Sequence, residues 1–182
     1  MNPSRFEVLA SLVFKCAVAA STNKSYDSSV LYQPFNVRGK IAGNYPETIA
    51  GNVITVASTK RKSSGQIQLN EMVNELRKRK MEVEGLRDLK EAAQYWTNTL
   101  STLADDRGRV YSITTACVLQ ESFEQNFVHS HLIFLITTVT FGQPLKVTFH
   151  APEVDQGYFV LMDTPSGDGI EATAHLRRKG YL

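Results

Sequence analysis

The chain has 182 residues, 42% hydrophobic and 21% charged, which is enough for one folded domain with its own core and excludes a disordered chain. Its formal net charge of +2 indicates no particular partner, and the absence of a basic stripe with interleaved aromatic residues disfavours nucleic acid. Two cysteines, Cys16 and Cys117, could form one disulfide, but such sparse usage favours free buried thiols in a reduced compartment, and hence a cytoplasmic protein.

The amino-terminal segment predicts an amphipathic helix rather than a secretory signal. Phe6 and Leu9 begin a series of apolar residues at helical spacing, while Glu7 and Lys15 interrupt the apolar run that a signal peptide requires. The other apolar run, residues 132–141, is too short to span a bilayer. We therefore expect a soluble protein that makes no contact with membranes.

The next segments predict two strands and two helices. Residues 30–37 and 52–57 are rich in β-branched and aromatic residues, which favour strands. Lys60 to Gly65 is typical of an exposed basic loop, either merely solvated or attracting phosphates. Apolar residues at helical spacing then predict one helix from Gln68 and a second beyond Gly85.

The last third of the chain predicts mainly strands. Residues 163–169 contain Pro, Gly and Asp at turn positions, so Asp163 and Asp168 are interpreted as turn residues rather than as an acid–base pair. No Pro- or Ser-rich linker divides the chain, and mixed helices and strands indicate an α/β or α+β sandwich. The predicted strands of this third are residues 110–115, 132–139, 145–150, 157–162 and 170–176.

Four segments in fixed order carry a family resemblance: Ser4–Leu9, Gln33–Arg38, Pro46–Asn52 and Leu161–Ala172. Their order and spacing resemble the carboxyl-terminal half of plant BAHD acyltransferases. The resemblance implies an α/β fold with a mixed sheet flanked by helices, as in chloramphenicol acetyltransferase. It also implies that residues 1–182 form a single partial domain.

The catalytic signature of that family is absent from this sequence. The signature is His-x-x-x-Asp, in which His is the general base toward the acceptor, and no histidine here has Asp four residues later. The histidines are His129, His131, His150 and His175. We therefore expect no catalytic residue in this chain, and we expect the catalytic half to lie upstream.

A second family signature, Asp-Phe-Gly-Trp-Gly followed by a basic residue and Pro, is only partly present. Thr138 stands at the position of its Asp, and only Gly142 and Pro144 match unchanged. The Asp of this signature is regarded as structural in the family. Its replacement therefore bears on folding more than on chemistry.

The resemblance implies that four residues contribute to a channel for acyl-CoA: Ser4, Arg38, Gly51 and Asn52. Ser4 either caps the first helix without a ligand or places a phosphate at the helix N-terminus. Arg38 either pairs with a phosphate or is the partner of the Asp that Thr138 replaces, and we favour this structural interpretation. Gly51 and Asn52 fit a tight turn, with or without a ligand.

The resemblance implies acyl-CoA as co-substrate, no bound cofactor and a small-molecule alcohol or amine acceptor in the complete enzyme. We predict no metal site, because Cys117 with His129 and His131 lacks the paired spacing of metal ligands. The rival hypothesis is a non-catalytic remnant that binds coenzyme A or a partner chain. In either case, self-association through the surface facing the missing half is expected.

Overall fold

The computed structural model describes residues 2–21, 26–41, 53–62, 66–104, 108–116, 157–164 and 166–176. The predicted strands at 132–139 and 145–150 lie outside these ranges. No helix in the described ranges is long and apolar enough to cross a membrane. The elements in chain order are α1 (Arg5–Ala20), β1 (Ser28–Asn36), β2 (Ile54–Lys62), α2 (Leu69–Glu84), α3 (Leu89–Ala104), β3 (Arg109–Ala116), β4 (Gly157–Asp163) and β5 (Ile170–His175).

The strands form one mixed sheet in the order β2-β1-β3-β4-β5. β1 pairs antiparallel with β2 and parallel with β3, β3 pairs parallel with β4, and β4 pairs antiparallel with β5. The mixed sheet with helices confirms the predicted fold class. Among the described elements the three helices lie against one face of this sheet, which we call the helix face.

The position of Pro34 within β1 follows from this topology. Proline has no N–H and is tolerated where a strand lacks a neighbour on one side. β3 pairs with β1 only over Ser29 to Tyr32, so Pro34 lies where β2 is the paired neighbour in the described sheet. The missing N–H therefore does not interrupt the β1–β3 ladder.

Two groups of buried residues join the helices to the sheet. The first cluster lies under α1 and α2, and the second lies under the end of α2 and under α3. The first cluster comprises Ala10, Phe14, Ala17, Leu31, Ile67, Met72, Leu76, Tyr111, Ile113, Phe159 and Leu161, and the second comprises Val37, Ile41, Val53, Ala57, Val83, Leu86 and Ala92.

The prediction of a basic loop from Lys60 is wrong for its first part. Lys60, Arg61 and Lys62 are the last residues of β2 and pair with Val30, Ser29 and Ser28 of β1. Local charge favours a loop, but pairing with a neighbouring strand outweighs that preference. Charged residues on an edge strand also oppose pairing with another chain.

The turn between β4 and β5 confirms Asp168 as a turn residue, whereas that interpretation is wrong for Asp163, which is the last residue of β4 and pairs with Ile170 of β5. Gly167 has φ of 73°, a left-handed conformation that glycine adopts without strain. The hydroxyl of Thr164 donates to Oδ1 of Asp168 at 2.9 Å, and the amide of Thr164 donates to the carbonyl of Gly169 at 3.1 Å. Hydrogen bonds from Ser166 and Thr164 hold the pKa of Asp168 below its usual value.

Candidate functional site

Ser4 is the N-cap of α1. Its hydroxyl accepts a hydrogen bond from the amide of Glu7 at 3.2 Å, and its own amide donates to Oε2 of Glu7 at 2.7 Å. This reciprocal capping box satisfies two backbone donors and places a carboxylate at the positive end of the helix dipole. The predicted cap is confirmed, whereas contact of Ser4 with coenzyme A stays a prediction.

Glu7 also forms an ion pair that sequence reasoning missed. Nη2 of Arg77, on α2, lies 2.9 Å from Oε2 of Glu7, and Nε of Arg77 donates to Oε1 at 3.4 Å. Burial opposes ionisation of Glu7, but the hydrogen bonds from Arg77 and from the Ser4 amide outweigh it and hold the pKa of Glu7 below its usual value. The pair fixes the start of α1, and hence Ser4, against α2.

Arg38 follows β1 and is 5% exposed. Its amide donates to Oδ1 of Asn36 at 3.1 Å, and its Nη1 donates to the same oxygen at 3.3 Å. Burial lowers the pKa of Arg38 below its usual value, although a guanidinium stays charged in proteins. The structure thus gives Arg38 a local role in shaping the end of β1. Its pairing with phosphate stays a prediction, and Thr138, the other residue in its structural interpretation, lies outside the described residues.

Several other candidates from the sequence also lie outside the described residues. Gly51 and Asn52 are among them, as are Cys117 and the histidines at 129 and 131. Cys16 on α1 is a free cysteine, but it is exposed, so the prediction of a buried thiol is wrong for this residue. Within the described ranges, no group of three His, Cys, Asp or Glu side chains is placed to hold a metal ion.

A row of polar side chains crosses the sheet on the face opposite the helix face. The registers place Ser58 opposite Tyr32, Tyr32 opposite Ser112, Ser112 opposite Tyr158, and Tyr158 opposite His175. Directly opposed residues point to the same side of a sheet, so all five side chains share that face. We call these residues the polar row.

The polar row combines hydroxyl groups with one imidazole in a largely dry setting. Burial raises the pKa of Tyr158 to about 12 and also raises the pKa of Tyr32, so both phenols are neutral hydrogen-bond donors at neutral pH. Oγ of Ser112 and Nε2 of His175 are buried without a hydrogen-bond partner among the described residues. The row can therefore accept or donate further hydrogen bonds.

No sequence motif marks the polar row, because its members come from five different strands. Alternation of side chains within each strand was the available signal. Tyr32, Ser112 and Tyr158 are each adjacent in the chain to a residue of the first cluster, which places them on the other face. The sequence alone did not show which residues of neighbouring strands lie opposite one another, because that depends on the registers of the strand pairs.

The mixed sheet with helices is shared with two solved structures. Vinorine synthase superposes with a TM-score of 0.67 at 21% identity, over 94% of this chain and 38% of that protein. TRI101 of F. sporotrichioides, crystallised with coenzyme A and T-2, superposes with a TM-score of 0.60 at 13% identity, over 97% of this chain and 40% of that protein. At these identities the likeness concerns the fold.

Residues 1–180 match the model of the Transferase family, and the chain belongs to that family. This confirms the BAHD resemblance seen in the sequence.

Curated plant relatives include Acylsugar acyltransferase 3 of Solanum lycopersicum, 25% identical over 100% of this chain and 40% of the relative. Acyltransferase Pun1 of Capsicum frutescens is 26% identical over 98% of this chain and 39% of the relative. The 17,18-epoxy-17-hydroxycur-19-ene N-malonyltransferase of Strychnos nux-vomica is 26% identical over 96% of this chain and 36% of the relative. The chain thus spans about 40% of the length of the first of these relatives.

Proposed function

We propose that this chain is the carboxyl-terminal part of an acyl-CoA-dependent O-acyltransferase of plant specialised metabolism, and that residues 1–182 form a single partial domain. The observation that carries the proposal is the family match over residues 1–180 on a chain with the mixed sheet of that family. The related TRI101 structure contains coenzyme A, which supports acyl-CoA as the co-substrate. The cytoplasmic location remains an inference from sparse cysteine usage.

The proposed reaction is direct transfer. A base takes the proton of the acceptor hydroxyl, the oxygen attacks the thioester carbonyl, and coenzyme A leaves as the thiol after receiving a proton. The family supplies that base from His-x-x-x-Asp, which does not occur in these 182 residues. The role proposed for this chain is therefore to hold the acyl donor.

Two of the four proposed contacts, Ser4 and Arg38, lie within the described residues. Ser4 lies at the positive end of the α1 dipole, where its amide already donates to the Glu7 carboxylate. Arg38 is buried and its Nη1 donates to Asn36, so a phosphate contact of either residue rests on the family resemblance. Gly51 and Asn52 complete the set by resemblance alone. We propose the phosphate groups of coenzyme A, rather than its pantetheine arm, as the ligand of Arg38, because a guanidinium matches the geometry of phosphate.

Calorimetric titration with coenzyme A, and separately with pantetheine, tests this assignment. We expect the Arg38→Gln variant to weaken binding of coenzyme A by roughly tenfold or more, because one charge-assisted pair is lost. Arg87→Gln is the matched control, since Arg87 pairs with Glu91 on the protein surface and should not affect the ligand. Equal affinity of the two variants for coenzyme A would exclude Arg38 from the site.

Acyl transfer by the 182-residue chain should not exceed the buffer rate, because general base catalysis worth roughly 10²–10⁴-fold is not supplied. Release of free thiol from acetyl-CoA in the presence of a panel of alcohols measures this. Turnover that disappears on substitution of any one of the four histidines would contradict the proposal and identify an unexpected base.

The alternative function is a non-catalytic remnant that binds coenzyme A or a partner chain. It is favoured by Thr138 at the Asp position of the second signature and by the missing catalytic signature. The upstream coding sequence discriminates the two. An in-frame His-x-x-x-Asp segment supports the enzyme, and its absence from the transcript supports the remnant. Under both proposals, the enzyme and the remnant, we expect the isolated chain to self-associate through the surface that would face the catalytic half.

A further inference from the structure

β5 forms an edge of the described sheet. It pairs with β4 and with no other described strand. Ala172 and Ala174 are exposed on the helix face, and Glu171 is exposed on the opposite face. Leu176, directly after the strand, is 47% exposed. The outer side of an edge strand carries unpaired backbone N–H and C=O groups, with which another strand can pair.

The sequence of this edge is complementary to itself in one antiparallel register. When Thr173 lies opposite Thr173 of a second copy, every other position also meets a matching residue. Ala172 lies opposite Ala174, and the two remaining pairs are Glu171 with His175 and Ile170 with Leu176. Threonine pairs are among the cross-strand pairs that stabilise antiparallel sheets, and a carboxylate can accept a hydrogen bond from an imidazole N–H.

The neighbouring registers do not share this property. When the two-fold axis is perpendicular to the sheet, side chains of both copies that share a face remain on that face. The alternative registers are therefore those in which the axis passes through a different residue of β5. Centring on Ala172 places Glu171 opposite Thr173, and centring on Ala174 places Thr173 opposite His175. Both shifts lose the carboxylate–imidazole pair between these residues.

His175 is half-buried and is the member of the polar row that lies on the edge strand. Its Nε2 is buried without a partner among the described residues, and its ring lies 6.3 Å from that of Tyr158. A carboxylate that arrives on the same face is an acceptor for an imidazole N–H. Glu171 of the second copy brings that carboxylate in the register centred on Thr173.

We propose that β5 is a self-association edge, through which two copies of this chain join their sheets antiparallel about Thr173. The described sheet then continues across the two-fold axis, with the helix faces of both copies on the same side. Pairing of one short strand buries a small area, so a weak, concentration-dependent dimer is expected. This edge does not depend on acyl transfer or on coenzyme A.

The test uses charge pairs at the two exposed alanines, whose substitution leaves the buried clusters intact. In the proposed register Ala172→Glu/Ala174→Lys brings opposite charges together twice in each dimer, and Ala172→Glu/Ala174→Glu brings like charges together twice. Sedimentation equilibrium over a concentration series measures the association constants. We expect them to differ by about tenfold or more, since each cross-strand pair changes from attraction to repulsion.

Ala93→Glu/Gln94→Glu is the control for added negative charge, because these exposed residues on α3 lie far from the edge in the chain and should leave association at the wild-type level. Equal melting temperatures at low protein concentration would show that the variants fold alike. A wild-type chain that is monomeric throughout the series, or equal association of the two β5 variants, would overturn the proposal.

Discussion

The two hydrophobic clusters hold their helices in different ways. In the first cluster the rings of Phe14 and Tyr111 meet edge to face at 5.6 Å, and Tyr111 stacks on Phe159 at 6.2 Å. The second cluster is mainly aliphatic, and the small side chain of Ala92 allows α3 to approach β2 closely enough for Thr55 to donate to its carbonyl at 2.9 Å. Large aromatic side chains therefore position α1 on the sheet, whereas a small side chain that lets the backbone of α3 approach β2 positions α3.

The largest effect should come from removing bulk under α1. Phe14→Ala should lower the free energy of unfolding by about 3–5 kcal/mol, because Phe14 is fully buried and its loss leaves a cavity beside Tyr111. Leu86→Ala in the second cluster should cost less, since Leu86 is 9% exposed. Urea unfolding followed by circular dichroism measures both. A larger loss for Leu86→Ala would reverse the comparison.

Adding bulk should instead be harmful under α3. Ala92→Leu should lower the free energy of unfolding by roughly 1–3 kcal/mol, because the new side chain forces α3 away from β2. Ala93→Leu is the matched control, since this neighbouring residue is exposed and should change stability by no more than about 0.5 kcal/mol. Equal effects of the two substitutions would mean that α3 does not depend on close approach.

The hydroxyl of Thr55 provides a smaller test of the same contact. Thr55→Val keeps the shape but removes the buried hydrogen bond to Ala92, so the free energy of unfolding should fall by about 1 kcal/mol. Thr97→Val removes the same kind of bond, to the carbonyl of Ala93, at an exposed position and should have almost no effect. A larger loss at Thr97 would show that burial does not decide the value of the bond.

The smallest effect on the free energy of unfolding at neutral pH should come from breaking the ion pair between Glu7 of α1 and Arg77 of α2. Solvent reaches Arg77 and screens the attraction between the two charges. The pKa of Glu7 is lowered in the folded chain, so its contribution is present above the ordinary pKa of 4.5 and is lost as pH falls through the folded value. The stability gap between wild type and Glu7→Gln should therefore narrow toward acidic pH. Melting temperatures across that range measure it.

Glu71→Gln is the control for the pH series, since Glu71 is an exposed carboxylate at the start of α2. At neutral pH, the difference in melting temperature between wild type and Glu71→Gln should be smaller than that between wild type and Glu7→Gln. A gap for Glu7→Gln that widens toward acidic pH would contradict the assigned direction of the pKa shift.

Local patterns predicted the elements closely. The helix from Gln68 begins at Leu69 with Gln68 as its N-cap, and the helix after Gly85 begins at Leu89. Helical periodicity and turn residues act within a few positions of one another, so they are readable in sequence. The end of β2 was wrongly predicted because its conformation depends on β1, a partner outside any local window.

The candidate site was less predictable for the same reason. The capping role of Ser4 could be read from its own neighbourhood, because Glu7 lies three residues away. The ion pair between Glu7 and Arg77 depends on how α1 packs against α2, and the polar row depends on the registers between strands. Contacts of Arg38, Gly51 and Asn52 with coenzyme A rest on resemblance and await the binding experiment.

The order of strands in the sheet also constrains how the chain folds. β4 and β5 form a hairpin across a short turn, so their pairing closes a small loop and can form early. The parallel pairs of β1 with β3 and of β3 with β4 join residues far apart in the chain, such as Ser29 with Arg109. Closing these long loops costs conformational entropy before the contacts between the strands have formed. We therefore expect the central strand β3 to be the last to pair with both neighbours, and its docking to be the slow step of folding.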